Sequence, residues 1–294
     1  MEALRTPDER FENLPGYAFE PHHADVDGLR MHYMDEGSGP VVLLLHGEPT
    51  WSYLYRKMIP VLVDSGLRAV APDLVGFGRS DKPAPRTEYT YERHVAWMKG
   101  LLDAIELNDV TVFGQDWGGL VGLRLVAEHP DRFARVVASN TGLPTGGGMS
   151  EAFKRWRDFS QTVPEMPIGA IVAGGCATAK LTPEEIAAYD APFPDESYKE
   201  GARQFPVLVP AEDDDPAIPA NRRAWESLAR FDKPFLCAFG DSDPITGGAD
   251  ARMREVIPGA KGRHHVTVEG GGHFIQEDKG PELAGIVADF VATT

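Results

Sequence analysis

The segment Val112–Gly119, of sequence Val-Phe-Gly-Gln-Asp-Trp-Gly-Gly, joins an apolar run to a helical pattern through a short turn. Small residues on both sides of Asp116 permit a turn sharp enough to push its side chain out past the end of a strand, as in a nucleophile elbow. An anionic group is stabilised there by the N-terminus of the following helix. Asp is also a common N-cap residue. The segment therefore predicts a carboxylate in a strand-to-helix turn, acting either as a nucleophile or as a helix cap.

Short apolar runs of the same kind recur on both sides of this segment, at 41–45, 68–72, 110–114, 136–139 and 235–239. Runs of this length, bounded by Gly, Pro and Asp, are typical of strands that are buried on both faces of a parallel sheet. Helical spacing of apolar residues lies between the runs, at 93–107 and 120–129. Strands that alternate with helices predict an α/β fold, with a mostly parallel central sheet flanked by helices.

The alternation is interrupted in the second half of the chain. The interrupted part is richer in Pro and in helix starts, including capping-box patterns that begin at Thr182 and Ser197. We therefore expect a helical cap domain at 142–222, inserted into an α/β core made of residues 1–141 and 223–294.

The composition limits the class of partner. The chain has 294 residues and carries 29 Lys and Arg against 45 Asp and Glu, a formal net charge of −16. This surplus of acid argues against binding to nucleic acid or to an anionic membrane surface. The charged N-terminal segment does not resemble a signal peptide, and no run reaches the roughly 18 apolar residues of a membrane span. We expect a cytoplasmic protein with a buried free thiol at Cys237. A monomer is the default expectation, and the oligomeric state stays open.

Two later segments supply partners for Asp116. His273 stands among glycines just after a strand-like run, and Asp243 follows the apolar run at 235–239. The chain order nucleophile, acid, histidine is that of α/β hydrolases. Asp241 is a competing candidate for the acid. The spacing therefore predicts a triad of Asp116, His273 and Asp243.

The loop after the first apolar run, which begins with His46, supplies a further part. In such a fold a backbone N–H of this loop and the N–H after the nucleophile form an oxyanion hole, here from Glu48 and Trp117. The sequence contains no zinc motif, and the pairs at 22–23 and 264–265 are histidines without further ligands, expected in exposed loops. We expect neither a metal nor a cofactor.

An aspartate nucleophile selects the type of substrate. A carboxylate that attacks a saturated carbon forms an alkyl ester that water can hydrolyse, so the leaving group is a halide or the oxygen of an epoxide. A departing halide needs donors without a competing acceptor, and an indole N–H is such a donor. Trp117 adjoins the nucleophile, and Trp156 lies on the apolar face of the first predicted cap helix. Core packing is the alternative role for Trp156.

Several segments make the chain resemble the haloalkane dehalogenases. The matching segments lie at 46–56, 73–83, 115–119 and 272–277, with a further match at 191–195 in the cap. The resemblance covers nearly the whole chain and is closest to the subfamily with an Asp-His-Asp triad and two tryptophan halide ligands. It implies the nucleophile Asp116, the base His273, the acid Asp243, and the halide ligands Trp117 and Trp156. The implied reactants are a haloalkane and water, and the products are an alcohol, a halide ion and a proton.

Two alternatives remain at this point. Epoxide hydrolases share the Asp-Trp-Gly-Gly turn and use two cap tyrosines to protonate the epoxide oxygen, for which Tyr189 and Tyr198 are candidates. Some proteins of this fold bind a ligand without catalysis, but the complete triad argues against that class.

Overall fold

The computed structural model describes residues 2–294. Its strands run at Ala3–Leu4 (β1), His22–Val26 (β2), Leu29–Gly37 (β3), Val41–Leu45 (β4), Arg68–Pro72 (β5), Lys82–Pro83 (β6), Val110–Gln115 (β7), Phe133–Ser139 (β8), Phe235–Gly240 (β9) and Val266–Val268 (β10). Its α-helices run at Ile59–Asp64 (α1), Tyr91–Ala104 (α2), Trp117–Glu128 (α3), Glu151–Thr162 (α4), Ile168–Gly175 (α5), Pro183–Asp190 (α6), Glu200–Leu208 (α7), Ile218–Leu228 (α8), Asp250–Val256 (α9) and Ile275–Thr293 (α10).

Within this range, eight strands form one sheet in the order β10-β9-β8-β7-β4-β5-β3-β2. The strands from β10 to β5 pair in parallel, whereas β3 pairs antiparallel with both β5 and β2. The central strand β7 is buried along its whole length. The prediction of an α/β fold with a mostly parallel sheet is confirmed. Because the parallel strands share one carboxyl edge, loops after β4, β7, β8, β9 and β10 meet there, where ligands bind in open α/β sheets.

The hairpin of β2 and β3 is a feature that the sequence analysis missed. Its two-residue turn is Asp27-Gly28, and both residues have positive φ, 55° and 74°. An Asp-Gly pair between strands is a strong hairpin signal, because both turn positions require that conformation. The histidines at 22–23 therefore lie in a strand, paired with Tyr33 and His32, and the expectation of a loop there is wrong.

The segment between β8 and β9 contains helices α4 to α8. In it α4 packs on α7 and α5 packs on α6. Arg203 of α7 is buried and donates to the carbonyl oxygens of Ser160 and Val163, both at 2.9 Å, which ties α7 to the end of α4. Helix α8 runs through residue 222, the expected end of the cap, and packs on the core helix α3. We therefore propose that the cap ends in the loop before Ile218.

One of the two predicted capping boxes is present. The Thr182 hydroxyl accepts from the Glu185 N–H at 3.2 Å, and the Glu185 carboxylate accepts from the Thr182 N–H at 2.9 Å. The box predicted at Ser197 is wrong. Asp195 caps a short 3₁₀ helix that begins one residue later, and Ser197 inside it donates to the Asp195 carboxylate at 2.5 Å.

The structure also bears on two further expectations, which concern the Cys237 thiol and membrane-spanning helices. Cys237 is a buried free thiol, and burial raises its pKa to about 12. Across residues 2–294, no helix combines the length and the apolar character that a membrane span requires.

Candidate active site

Asp116 occupies the turn between β7 and α3. Its φ and ψ of 50° and −125° lie outside the regions that a non-glycine residue readily adopts. Four hydrogen bonds hold this backbone. Its N–H donates to the Asn140 carbonyl at 2.9 Å, and its carbonyl accepts from the N–H groups of Gly119 at 2.9 Å and Leu120 at 3.1 Å and from the Thr141 hydroxyl at 2.7 Å. Such strain persists only where surrounding contacts impose it, and it is common at functional sites. The carboxylate makes no capping bond to α3, so the helix-cap interpretation is wrong.

The loop after β4 places a donor on this carboxylate. The Glu48 N–H donates to Asp116 Oδ1 at 2.8 Å. Gly47 permits the approach, because a β-carbon there would lie 2.3 Å from the same oxygen. The His46 ring fixes the loop: Nε2 accepts from the Leu74 N–H at 2.9 Å, and Nδ1 lies 2.9 Å from the Gly47 carbonyl. One of the two predicted oxyanion donors thus already contacts Asp116.

The Glu48 side chain is a second carboxyl at the site. It is 4% exposed, and its Oε1 has no hydrogen-bond partner among residues 2–294. Burial, together with the neighbouring Asp116, raises its pKa well above the usual range. Two adjacent carboxyls in unequal environments separate into different roles. Burial and the neighbouring Asp116 thus both favour the protonated form of Glu48.

His273 and Asp243 meet Asp116 at the same edge of the sheet. His273 Nδ1 lies 3.1 Å from each oxygen of Asp243, and Nε2 lies 3.6 Å from Asp116 Oδ2. Asp243 also accepts from the Ile245 N–H at 2.9 Å and from the Thr246 hydroxyl. The competing acid does not reach the ring, because the Asp241 carboxylate is exposed and accepts from the Gly270 N–H at 2.9 Å.

The two carboxylates set the protonation of the imidazole. Burial disfavours its charged form, but Asp243 and Asp116 together outweigh burial and raise the pKa of His273 to about 10. In turn burial raises the pKa of Asp243, and this is outweighed chiefly by His273, so that the pKa falls to about 2. The resting site therefore holds a cationic imidazole between two carboxylates.

Asn140, at the end of β8, is a residue whose role the sequence analysis did not predict. Its Nδ2 donates to the Gly272 carbonyl at 2.7 Å, and its Oδ1 accepts from the Gly240 N–H at 2.8 Å. It therefore joins the ends of β8 and β9 to the loop that carries His273. A buried polar residue directly after a parallel strand was the available signal.

A cavity of about 400 Å³ lies above Asp116 and is lined by both predicted halide ligands, Trp117 and Trp156. The Trp117 ring is 2% exposed and stacks on Phe205 with 4.4 Å between centroids. The Trp156 ring, on α4, is half-buried. Neither indole nitrogen has a hydrogen-bond partner within the described range, whereas those of Trp51 and Trp225 donate to backbone carbonyls. Both cavity tryptophans thus keep an unused donor.

A second cavity, of about 480 Å³, adjoins the first. It shares Asp116, Trp117, Phe153 and Ile245 with the first cavity, and it extends towards Leu143 and Trp225. The two cavities are called the two lobes of the site below, and Phe153, on the cap helix α4, lines both.

The two cap tyrosines lie outside both cavities. The Tyr189 ring is fully buried, and its hydroxyl donates to the Glu277 carboxylate, which also binds Arg56. Tyr198 is half-buried and lines neither lobe. Neither hydroxyl is placed to protonate an epoxide oxygen above Asp116. Among residues 2–294, no group of three His, Cys, Asp or Glu side chains is arranged to hold a metal ion.

Comparison with known proteins first defines the class. Residues 40–280 match the family model of the alpha/beta hydrolase fold. A solved structure, the tetrameric haloalkane dehalogenase of Paraglaciecola agarilytica NO2, superimposes with a TM-score of 0.91 at 40% identity, covering 97% of each chain.

Comparison with curated proteins narrows the class. The chain is 58% identical to a haloalkane dehalogenase of Psychrobacter cryohalolentis, over 99% of this chain and 98% of that protein. It is 54% identical to a haloalkane dehalogenase of Mycobacterium marinum, over 97% of this chain and 98% of that protein. The chain belongs to the haloalkane dehalogenases, hydrolases that act on carbon–halide bonds, as the resemblance implied.

Proposed function

We propose that the chain hydrolyses haloalkanes through a covalent alkyl ester on Asp116. The observation that carries this mechanism is the row of Asp116, His273 and Asp243, with the Glu48 N–H bound to one oxygen of the nucleophile. The apolar cavity above the row admits a small haloalkane and water. Epoxide hydrolysis has no comparable support, because the cap tyrosines lie outside the cavity.

In the first step Asp116 Oδ2 attacks the carbon that bears the halogen. The carbon–oxygen bond forms as the carbon–halogen bond breaks, and the halogen leaves with the electron pair as halide. The indole N–H groups of Trp117 and Trp156 stabilise this ion, because they are donors without a competing acceptor. Asp116 Oδ1, bound to the Glu48 N–H, becomes the carbonyl oxygen of the ester.

In the second step water attacks Cγ of the ester. His273 Nε2 takes a proton from the water, and Asp243 stabilises the imidazolium. The negative charge on Oδ1 of the tetrahedral intermediate is met by the N–H groups of Glu48 and Trp117. The bond from Cγ to Oδ2 then breaks, and Oδ2 leaves in the alcohol with a proton from His273. The oxygen of the water stays on the Asp116 carboxyl group, which releases its proton. The overall reaction converts a haloalkane and water into an alcohol, a halide ion and a proton.

The first step prepares the base for the second. A carboxylate on Asp116 helps to hold the pKa of His273 at about 10, where the ring is protonated and cannot act as a base. Ester formation removes the negative charge of Asp116, and the pKa of His273 falls. The imidazole therefore gives up its proton more readily once the ester has formed than in the resting site.

Two neighbouring carboxylates provide a matched test. Asp243→Asn removes the partner of His273, whereas Asp241→Asn changes an exposed side chain two residues away. With 1,2-dibromoethane we expect Asp243→Asn to lower steady-state bromide release by about 10²–10⁴-fold, since general base catalysis is lost. Asp241→Asn should keep the wild-type rate. Equal rates in the two variants, or diol formation from styrene oxide at the rate of bromide release, would contradict the proposed function.

A further inference from the structure

The loop that carries His273 is held from two sides. On the core side, Gln115 Nε2 donates to the His273 carbonyl at 3.0 Å, and Asn140 Nδ2 donates to the Gly272 carbonyl at 2.7 Å. On the cap side, the His273 N–H donates to the carbonyl of Gly175, the last residue of α5, at 2.9 Å. The carbonyl groups of Gly272 and His273 thus bind the core, and the N–H of His273 binds the cap.

The Asp278 carboxylate adds hydrogen bonds that connect this loop to the cap. One of its oxygens accepts from the Gly272 N–H at 2.8 Å and from the Ala177 N–H at 2.9 Å. The other oxygen accepts from the N–H groups of Thr178 at 2.8 Å and Ala179 at 2.6 Å. A single carboxylate therefore joins the segment 177–179, which follows α5, to the residue before His273.

The two segments are also in tight contact. A β-carbon on Gly272 would lie 2.6 Å from the Ala177 nitrogen and 2.7 Å from the Gly175 carbonyl oxygen. Thr178 adds a bond from its hydroxyl to the Gly270 carbonyl at 3.1 Å. With so little space between them, a shift of the cap segment moves the backbone that carries His273.

Asp278 acts through these bonds and not on the substrate. It does not line either lobe of the cavity, whereas Ala177 and His273 do. Burial raises the pKa of Asp278, but the four backbone N–H groups outweigh this effect and lower it below its usual range. The side chain is therefore a carboxylate at neutral pH.

We propose that Asp278 is a positioning residue for His273, which it fixes by clamping the cap segment 177–179 to the Gly272 amide. This role rests on the proposed function, in which His273 acts only on the ester. Loss of the clamp then slows ester hydrolysis and spares ester formation, which needs Asp116 and the halide ligands alone.

The variant Asp278→Asn tests whether Asp278 affects hydrolysis of the ester but not its formation. Its amide keeps one oxygen as an acceptor, but its NH₂ group faces N–H donors that the carboxylate had bound. We expect ester hydrolysis to slow by about ten- to hundredfold, the cost of a misplacement of up to roughly 1 Å. Ester formation should stay within about twofold of the wild-type rate, because His273 takes no part in it. Rapid quench with 1,2-dibromoethane, followed by intact-protein mass spectrometry, measures both rate constants.

Asp190→Asn is the matched control. Asp190 Oδ1 accepts from the Gly169 N–H at 3.0 Å, a bond within the same helix pair α5 and α6 that does not touch the His273 loop. This variant should hydrolyse the ester at the wild-type rate. A second variant, Gly272→Ala, keeps Asp278 but forces the two segments apart, and it should slow hydrolysis selectively, as Asp278→Asn does. It also covers the case in which Asp278→Asn fails to fold, which thermal melting detects.

Wild-type hydrolysis in both test variants, or equal slowing of both steps, would overturn the role of Asp278. The variant His273→Ala separates this result from failure of the proposed function. If His273→Ala accumulates the ester while the Asp278 and Gly272 variants hydrolyse it normally, only the positioning role is lost. If His273→Ala accumulates no ester, the covalent mechanism itself fails.

Discussion

The core and cap sides of the cavity are built differently. On the core side, Asp116 and the Glu48 N–H lie in the loops that follow β7 and β4, and the Trp117 ring stacks on Phe205 of the cap helix α7. On the cap side, Phe153 and Trp156 lie on α4 and are only half-buried. Groups at strand ends are held by the sheet itself, whereas groups on the cap depend on how its helices pack. The core therefore sets the reaction, and the cap sets the shape of the space that receives the substrate.

The largest effect is expected on the core side, at the nucleophile. Asp116→Asn keeps the shape of the side chain and removes its charge, and removal of a nucleophile costs several orders of magnitude in rate. We expect bromide release from 1,2-dibromoethane to fall by at least about 10³-fold. Rates above one tenth of wild type in freshly purified protein would remove Asp116 from the mechanism.

The two halide ligands allow a direct comparison, because Trp117 belongs to the core side of the cavity and Trp156 to the cap side. Trp117→Phe deletes a donor that is fixed by stacking, so we expect the inhibition constant of bromide to rise about ten- to hundredfold, the value of a hydrogen bond to a charged group. Trp156 is only half-buried, so its hydrogen bond to bromide should be weaker. We expect Trp156→Phe to raise the inhibition constant of bromide by only about three- to tenfold. Competition of bromide with substrate in steady-state assays measures both constants. A larger effect at Trp156 would reverse the comparison.

The charge of His273 also affects folding stability. Its pKa is about 10 in the folded chain against 6.5 for the free side chain, so the folded state retains a proton that the unfolded state releases. The stabilisation is complete below pH 6.5 and is lost as the pH rises to about 10. Urea unfolding of the wild type and of His273→Gln should give a difference in free energy of unfolding that shrinks across this window. A constant difference would place the pKa of His273 near its ordinary value.

The smallest effect is expected at the cap, where Phe153 lines both lobes. Phe153→Ala removes this shared ring and should favour longer substrates over shorter ones. We expect the ratio of kcat/KM for 1-bromohexane to that for 1-bromopropane to rise by about two- to tenfold, as apolar pocket contacts typically allow. An unchanged ratio would mean that the second lobe does not receive substrate.

The difference between groups at strand ends and groups held by distant segments also explains which features the sequence could predict. Asp116, Asp243 and His273 each follow an apolar run, so their meeting at one edge follows from the parallel sheet. Asp278 acts through backbone bonds to a segment about 100 residues away, and no local pattern marks such contacts. The position of Asn140 after β8 was a signal for a role at the site, but its partner about 130 residues away was not. The failed capping box at Ser197 has a local cause instead, because Asp195, two residues earlier, is the N-cap. The hairpin at Asp27-Gly28, in contrast, carried a local signal that was overlooked.

The central claim is that the oxygen of the product alcohol comes from Asp116 and not directly from water. A single turnover of 1,2-dibromoethane, with enzyme in excess and in water labelled with ¹⁸O, tests it most directly. We expect unlabelled alcohol, with one ¹⁸O atom in the Asp116 carboxylate, located by peptide mass spectrometry. Labelled alcohol and an unlabelled Asp116 would mean that water attacks the haloalkane itself, and the covalent mechanism would be wrong.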